Sequence, residues 1–185
     1  MARRISAHVP GTVTPDQRAL YDAITGGPRA QGPQHFALME SDGSLRGPFD
    51  AFLLSPPVGT ALQELGAAIR YRTHLTDRAR ELAILLVAAK WHSAFERDSH
   101  EAIARAIGFS DAEISGTRAL DVSAFSGEEA AVGRAVVALL DGDLDDMQWA
   151  AASDALGTDV VFELTTLVGY YAMLALQLRV FRVED

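Results

Sequence analysis

The sequence predicts an all-α protein, and three observations support that fold class. From Pro57 onward apolar residues recur at helical spacing, as in Val58, Leu62, Leu65 and Ile69. No segment alternates apolar and polar residues beyond four positions, which is the pattern of a half-buried strand. Ser or Thr residues that start helices, and Gly residues that end them, recur between the apolar segments, so we expect roughly seven helices.

The length and composition fit one ordinary domain. The chain has 185 residues, and 49% of them are hydrophobic, which is enough for a substantial core. Residues 1–56 carry repeated Pro and Gly, which predicts a loop-rich N-terminal extension with one short helix at Pro15–Thr25. Residues 57–185 form the predicted helical core. We therefore expect a single domain over residues 1–185.

Start signals place the helices of the core. Pro57 suits a first helical turn, and Thr76-Asp77 begins the next helix. The segment Leu82–Ala89 is apolar on all sides, so we expect it to be buried on most sides. Capping boxes are predicted where a Ser precedes a Glu by three residues, and glycines mark helix ends. These boxes and ends are Ser93–Glu96, Ser110–Glu113, Ser126–Glu129, Gly108 and Gly157.

The last helix is apolar enough to be compared with a membrane span. Val160–Leu178 approaches the roughly 20 residues that a span needs. However, Asp159 and Glu163 lie at one end of it, and the rest of the chain has the composition of a soluble protein. We expect a buried helix of a bundle and no membrane association.

Charge and cysteine content exclude several classes of function. The formal net charge is −9, and an acidic chain without a basic tail repels the phosphate backbone, so we expect no nucleic-acid binding. There is no cysteine, which excludes disulfides, thiolate metal sites, iron–sulfur clusters and cysteine nucleophiles. No apolar run follows Met1-Ala2-Arg3-Arg4-Ile5, so we expect a cytoplasmic protein.

The candidate chemistry lies in two consecutive helices. Glu81 begins an almost wholly apolar helix, and Glu96 and His100 are four residues apart on the next one, so their side chains can meet. A carboxylate beside an imidazole fixes its tautomer and stabilises its charged form. Structural roles stay open: Glu96 as the capping partner of Ser93, His100 as a hydrogen-bonded core residue, and Glu81 as the partner of a nearby arginine.

Two further patterns have alternative interpretations. His92, Glu96 and His100 form a ladder that resembles metal ligation, but His92 precedes the predicted cap, so we expect no metal and no cofactor. A basic cluster is either a carboxylate or phosphate clamp or charge near the end of a helix. Its members are Arg70, Arg72, His74, Arg78 and Arg80. Trp91 lies next to the predicted site and is expected either in the cleft or in the core.

The segment Arg78–Gly108 resembles the carboxymuconolactone decarboxylase-like family, which includes the alkylhydroperoxidase D-like proteins. Peroxidase members carry a Glu, a Cys twelve residues later, a second Cys three further on and a His four beyond. Glu81, Ser93, Glu96 and His100 have this spacing without a gap. Flanking segments extend the resemblance over residues 45–180. They are Gly47-Pro48-Phe49, Ser55-Pro56, Leu65, Arg70 and Gly169-Tyr170-Tyr171.

The resemblance implies an all-α, alkylhydroperoxidase D-like helical bundle and an enzyme without thiol chemistry. Disulfide-based peroxide reduction needs thiolates, and Ser93 and Glu96 stand where the cysteines would be. We expect a cofactor-free lyase that removes carbon dioxide from a small carboxylated lactone or a related intermediate of aromatic-compound catabolism. In this interpretation His100 donates the proton, Glu96 orients the His100 ring, and Glu81 completes the relay. The candidate substrate-binding residues are Arg72, Arg70, Ser93, Trp91 and His92.

Other functions and the assembly follow from the same resemblance. Alternatives are a different small-molecule reaction in a relative that has lost the redox cysteines, and a non-catalytic oligomeric binding protein. The family forms trimers or hexamers. The apolar surfaces of Leu82–Ala89 and Val160–Leu178 agree with a homo-oligomer, for which a trimer or hexamer is expected and a dimer is possible.

Overall fold

Helices make up the regular structure of the chain. The structure is a computed structural model that describes residues 2–27, 31 and 36–183. Within those residues the helices are α1 (Pro15–Gly26), α2 (Pro48–Phe52), α3 (Pro56–Tyr71), α4 (Asp77–Trp91), α5 (Ala94–Ala106), α6 (Asp111–Arg118), α7 (Gly127–Leu139), α8 (Asp146–Leu156) and α9 (Thr158–Phe181). The same residues contain no strand, and one isolated bridge joins Met39 to Leu45. The all-α prediction is confirmed.

Contacts divide the chain into two compact units, Met1–Ala68 with Leu176–Asp185, and Ile69–Ala175. The prediction of one domain over residues 1–185 stays a prediction. Residues 28–30 and 32–35 of the predicted loop-rich extension lie outside the described residues.

The first unit is built around α1 and α2. The predicted helix at Pro15–Thr25 is α1, which Thr14 caps by accepting a hydrogen bond from the backbone N–H of Gln17. A buried carboxylate, Asp50 on α2, accepts hydrogen bonds from the Arg3 guanidinium and from the backbone N–H of His8. These bonds attach the N-terminal segment to α2.

The second unit is organised around α4. This helix is buried from Ala79 to Ala88, and α5, α6 and α7 all contact it, while α8 contacts α7. A helix that is covered on every side needs apolar residues all round, as the sequence predicted for Leu82–Ala89. That prediction is confirmed for Leu82–Ala88, and Ala89 is half-buried.

The helix α9 has the length and composition of a membrane span. Among the described residues it is the one helix that is long and apolar enough to cross a membrane. This comparison rests on length and composition alone, and core helices of soluble proteins share both features. Val161, Leu164, Leu167 and Tyr171 are buried at spacings of three and four residues. One face of α9 is therefore part of the core of the second unit.

One of the three predicted capping boxes forms. Ser110 accepts from the backbone N–H of Glu113, whose side chain accepts in return from the backbone of Ser110. The boxes at Ser93 and Ser126 were wrong, because neither hydroxyl caps its helix. Glu129, the intended partner of Ser126, instead binds Arg78, whose Nε lies 2.6 Å from its Oε1.

Candidate active site

The turn between α4 and α5 brings the candidate residues together. His92 closes α4 in the left-handed conformation, with φ 53° and ψ 39°, and its N–H bonds back to the carbonyls of the last turn. Ser93 then begins α5. Because α4 and α5 pack against each other, Glu81 on the first faces His100 on the second.

Glu81 and His100 form a buried hydrogen-bonded pair. Glu81 Oε2 lies 2.6 Å from His100 Nδ1, and both side chains are buried. A hydrogen bond between an ionised carboxylate and an imidazole N–H is short and about twice as strong as a neutral one. From the sequence we expected Glu96 to orient the imidazole, whereas the carboxylate that accepts from Nδ1 is Glu81, 19 residues away in the chain.

Positive charges keep Glu81 ionised inside the protein. Burial raises the pKa of this carboxyl, but the charge and hydrogen bond of His100 lower it, and the charges of Arg70 and Arg80 add to that effect. The resulting pKa lies below the ordinary value of 4.5. Since Glu81 is the acceptor, we assign the proton between the two groups to His100 Nδ1, which leaves Nε2 as the reactive nitrogen.

Glu96 and Ser93 lie in the first turn of α5. Glu96 is buried, although it stands near the surface end of an amphipathic helix where a charged residue is normally exposed. The buried Ser93 Oγ has no hydrogen-bond partner among the described residues. Two polar side chains are thus held away from water, about one turn (Glu96) and two turns (Ser93) before His100.

Tyr171 on α9 contacts His100, which the sequence did not predict. Its ring meets the His100 ring edge to face, with centroids 5.4 Å apart and planes at 85°. The helical spacing of Leu164, Leu167 and Tyr171 would have placed Tyr171 on the buried face, but nothing in the sequence links that face to His100.

The family model described as carboxymuconolactone decarboxylase family matches residues 56–140. Those residues are a carboxymuconolactone decarboxylase family domain. The match contains Glu81, Ser93, Glu96 and His100, and it ends before Tyr171. No curated protein matches the chain significantly.

This carboxymuconolactone decarboxylase family domain has no thiol with which to do redox chemistry, because the chain contains no cysteine. The two positions that hold cysteines in the peroxidase members are Ser93 and Glu96. Neither side chain can form or exchange a disulfide. Glu81, Glu96 and His100 are groups that take part in proton transfer and electrostatic stabilisation.

The predicted basic cluster is divided among separate tasks. Arg78 forms ion pairs with Glu113 and Glu129 and lies 4.3 Å over the Phe109 ring, so it is committed to structure. These bonds raise the pKa of its guanidinium. The exposed His74 binds Glu163, whose Oε1 lies 2.9 Å from Nδ1 and whose hydrogen bond and charge raise the pKa of the imidazole.

The arginines closest to Glu81 are Arg70 and Arg80. Arg80 Nε lies 3.8 Å from Glu81 Oε1, and Arg70 is near enough for its charge to act on the same carboxyl. Arg70 also stacks over the Tyr71 ring at 5.9 Å, whereas Arg72 is exposed.

Trp91 and His92 occupy the surface end of α4. Trp91 is 36% exposed, so the expectation that it belongs to the core was wrong, because the helix emerges into solvent at this point. His92 is also exposed and lies outside α5. Among the described residues no group of three or more His, Asp or Glu side chains is placed to hold a metal ion, and the ladder of His92, Glu96 and His100 is no exception.

Proposed function

We propose that the protein is a cofactor-free lyase of the carboxymuconolactone decarboxylase type, acting on a small carboxylated lactone or a related intermediate of aromatic-compound catabolism. The observation that carries the proposal is the buried pair of Glu81 Oε2 and His100 Nδ1 at 2.6 Å. An ionised carboxylate on Nδ1 stabilises an imidazolium, and an imidazolium in a water-poor site is a general acid. The family domain over residues 56–140 supports the same reaction class.

The reaction needs only steps that these groups can perform. The bond between the substrate carbon and its carboxylate breaks, and the electron pair moves through the conjugated lactone to the carbonyl oxygen as carbon dioxide leaves. The resulting dienolate collapses as His100 Nε2 delivers its proton to carbon. Water then returns a proton to the imidazole. The net change is the loss of carbon dioxide and the gain of one hydrogen at a carbon of the dienolate.

Each residue of the site has a proposed task. His100 is the proton donor. Glu81 fixes its tautomer and balances its charge, and Glu96, one helical turn before His100, is the third member of the proposed relay. Glu81 occupies Nδ1 of the His100 ring, so Nε2 is the nitrogen that we assign to the substrate. Tyr171 holds the ring from its edge.

Arginine side chains are the proposed holders of the remaining substrate carboxylate. Arg70 is half-buried and already acts on Glu81 through its charge, which makes it the stronger candidate. Arg72 lies two residues further on and is exposed. Ser93, Trp91 and His92 remain proposed substrate contacts.

The test replaces His100 and Glu81 and measures carbon dioxide release from a panel of small carboxylated lactones. We expect His100→Asn to lower turnover by about 10²–10⁴-fold, the usual contribution of a general acid. Glu81→Gln should lower it to a smaller extent, because an amide still accepts the hydrogen bond from Nδ1 but carries no charge.

His74 provides a matched control. It is also an imidazole bonded to a glutamate in the second unit, but it lies on the surface, so His74→Asn should leave turnover unchanged. The proposal fails if folded His100→Asn protein, checked by circular dichroism, turns over within a few-fold of wild type. It also fails if the wild type releases no carbon dioxide from any lactone of the panel, in which case a non-catalytic binding role becomes the better account.

A further inference from the structure

A concave site lies in the second unit, on the surface of α4, α5 and α6. Its volume is about 360 Å³, which is within the range of small-molecule pockets. None of Glu81, Glu96 and His100 lines it. The lining residues are Leu85, Ala88, Ala89, His92, Arg97, Asp98, Thr117 and Arg118. We name this site the arginine cleft.

The arginine cleft has an apolar floor and a cationic rim. Leu85 and Ala88 on α4 are buried and form the floor. The guanidinium groups of Arg97 on α5 and Arg118 on α6 are exposed at the rim. Each arginine is paired with one carboxylate, Arg97 with Asp98 and Arg118 with Glu101, so the rim places two cationic groups together in an acidic protein without a net excess of charge.

A buried carboxylate holds Arg118 in place. Glu101 accepts from Arg118 Nε at Oε1 and from Nη2 at Oε2, both at 2.6 Å, in the two-pronged geometry that matches a guanidinium to a carboxylate. The bonds from Arg118 lower the pKa of Glu101, which is therefore ionised at neutral pH. The Arg118 side chain itself remains 55% exposed.

The held guanidinium keeps donors for a ligand. A guanidinium has five N–H groups, and Arg118 uses two of them on Glu101. The others have no acceptor within the part of the chain that the structure describes. A fixed arginine with unused donors loses little side-chain freedom when an anion binds, which is the condition for a specific anion site.

One carboxylate competes with a ligand. Asp98 is the only acidic residue among the described residues that line the cleft, and its Oδ1 lies 3.0 Å from Arg97 Nη2. This pair is exposed and joins neighbours in the sequence, so it is a weak ion pair that an incoming anion can replace.

We propose that the arginine cleft binds a small organic acid, with its carboxylate on Arg118 and Arg97 and its apolar body on Leu85 and Ala88. A bare inorganic anion would gain nothing from the floor, and a neutral molecule would gain nothing from the rim. This inference does not rest on the proposed lyase activity, because neither Glu81 nor His100 lines the cleft. His92 is the one lining residue that is also a proposed substrate contact of the lyase.

The test titrates the full chain with benzoate by isothermal calorimetry at low ionic strength. Benzoate should bind at the cleft, and benzyl alcohol and inorganic phosphate should each bind at least about tenfold more weakly. Arg118→Gln should weaken benzoate binding by about tenfold or more, and Arg97→Gln should also weaken it. The matched control is Arg105→Gln: Arg105 also contacts Glu101, at 3.2 Å, but does not line the cleft, so benzoate binding should stay unchanged.

A second variant predicts a gain. Asp98→Asn removes the competing carboxylate, so it should tighten benzoate binding several-fold. The inference is overturned if benzoate does not bind, if Arg118→Gln and Arg105→Gln have equal effects, or if Asp98→Asn weakens binding. Phosphate binding as tightly as benzoate would also overturn it, since the floor would then contribute nothing. Arg97 is exposed, so its variant decides the matter if Arg118→Gln does not fold.

Discussion

The carboxylate of Glu81 is completely buried and nevertheless ionised, because cationic groups surround it. Its hydrogen bond to His100 and the charges of Arg70 and Arg80 together outweigh the effect of burial on its pKa. Removing the charge of Glu81 therefore affects stability as well as chemistry, because His100, Arg70 and Arg80 lose the negative charge with which they interact.

This residue makes the stability of the protein depend on acid pH. A carboxyl whose pKa is lower in the folded state contributes stability above its unfolded pKa, near the ordinary value of 4.5, and loses it as pH falls through the folded value. We expect Glu81→Gln to lower the free energy of unfolding by about 1–3 kcal/mol at pH 7. The difference in unfolding free energy between the wild type and Glu81→Gln should narrow as pH falls below 4.5.

Urea denaturation of both proteins across the pH range measures this gap. Asp77→Asn is a suitable control, because Asp77 pairs with Arg80 at the exposed start of α4. A gap for Glu81→Gln that stays constant down to strongly acid pH would mean that Glu81 is not ionised in the folded protein.

At the scale of helices, hydroxyls with the same sequence pattern differ in what they contribute. Ser110 caps α6, whereas Ser93 and Ser126 do not cap the helices that follow them. We expect Ser110→Ala to cost about 1 kcal/mol of unfolding free energy, the usual cost of a lost cap. Ser126→Ala, at an exposed position, should change it by less than about 0.5 kcal/mol.

Ser93→Ala is the informative member of the series. Its Oγ is buried and has no hydrogen-bond partner in the described chain, so replacing it by a methyl group removes a cost of burial and should leave stability equal or higher. Thermal unfolding of the three variants checks this order. A loss at Ser93 as large as that at Ser110 would mean that the hydroxyl makes a bond in solution.

Helices and their caps also mark what could be predicted from the sequence and what could not. The positions of α1 and α4, and the closeness of Glu81 to His100, follow from apolar spacing and from the family pattern. The sequence does not show which carboxylate accepts the hydrogen bond from His100 Nδ1. Glu96, one turn away on the same helix, and Glu81, on the neighbouring helix, are both spaced to do so. The packing of α4 on α5 brings the Glu81 carboxylate to Nδ1.

The predicted capping box at Ser126 did not form for a similar reason. A motif of four residues predicts local hydrogen bonds, but Glu129 lies within reach of an arginine on another helix, and a bidentate ion pair replaces the cap. Tyr171 was missed because its contact with His100 joins residues that are 71 positions apart. No local pattern reports such a contact.

At the scale of the whole molecule, apolar side chains on the surface support a proposal of self-association. In the second unit Met147 is 80% exposed and Phe162 is 71% exposed. Exposed large apolar residues are typical of interfaces, and closed rings are common among homo-oligomers. We expect light scattering to give a mass near three or six times 19.9 kDa, or near twice that value for a dimer. A species of 19.9 kDa alone would contradict the proposal.

The central claim is that His100, held by Glu81, delivers a proton to carbon, and decarboxylation in deuterated water tests it most directly. The account predicts one deuterium per product molecule, bonded to a single carbon of the former dienolate and on one face only, because the imidazole lies at a fixed position. It also predicts that folded His100→Asn loses this turnover. Deuterium on both faces in equal amounts, or undiminished turnover in His100→Asn, would contradict it.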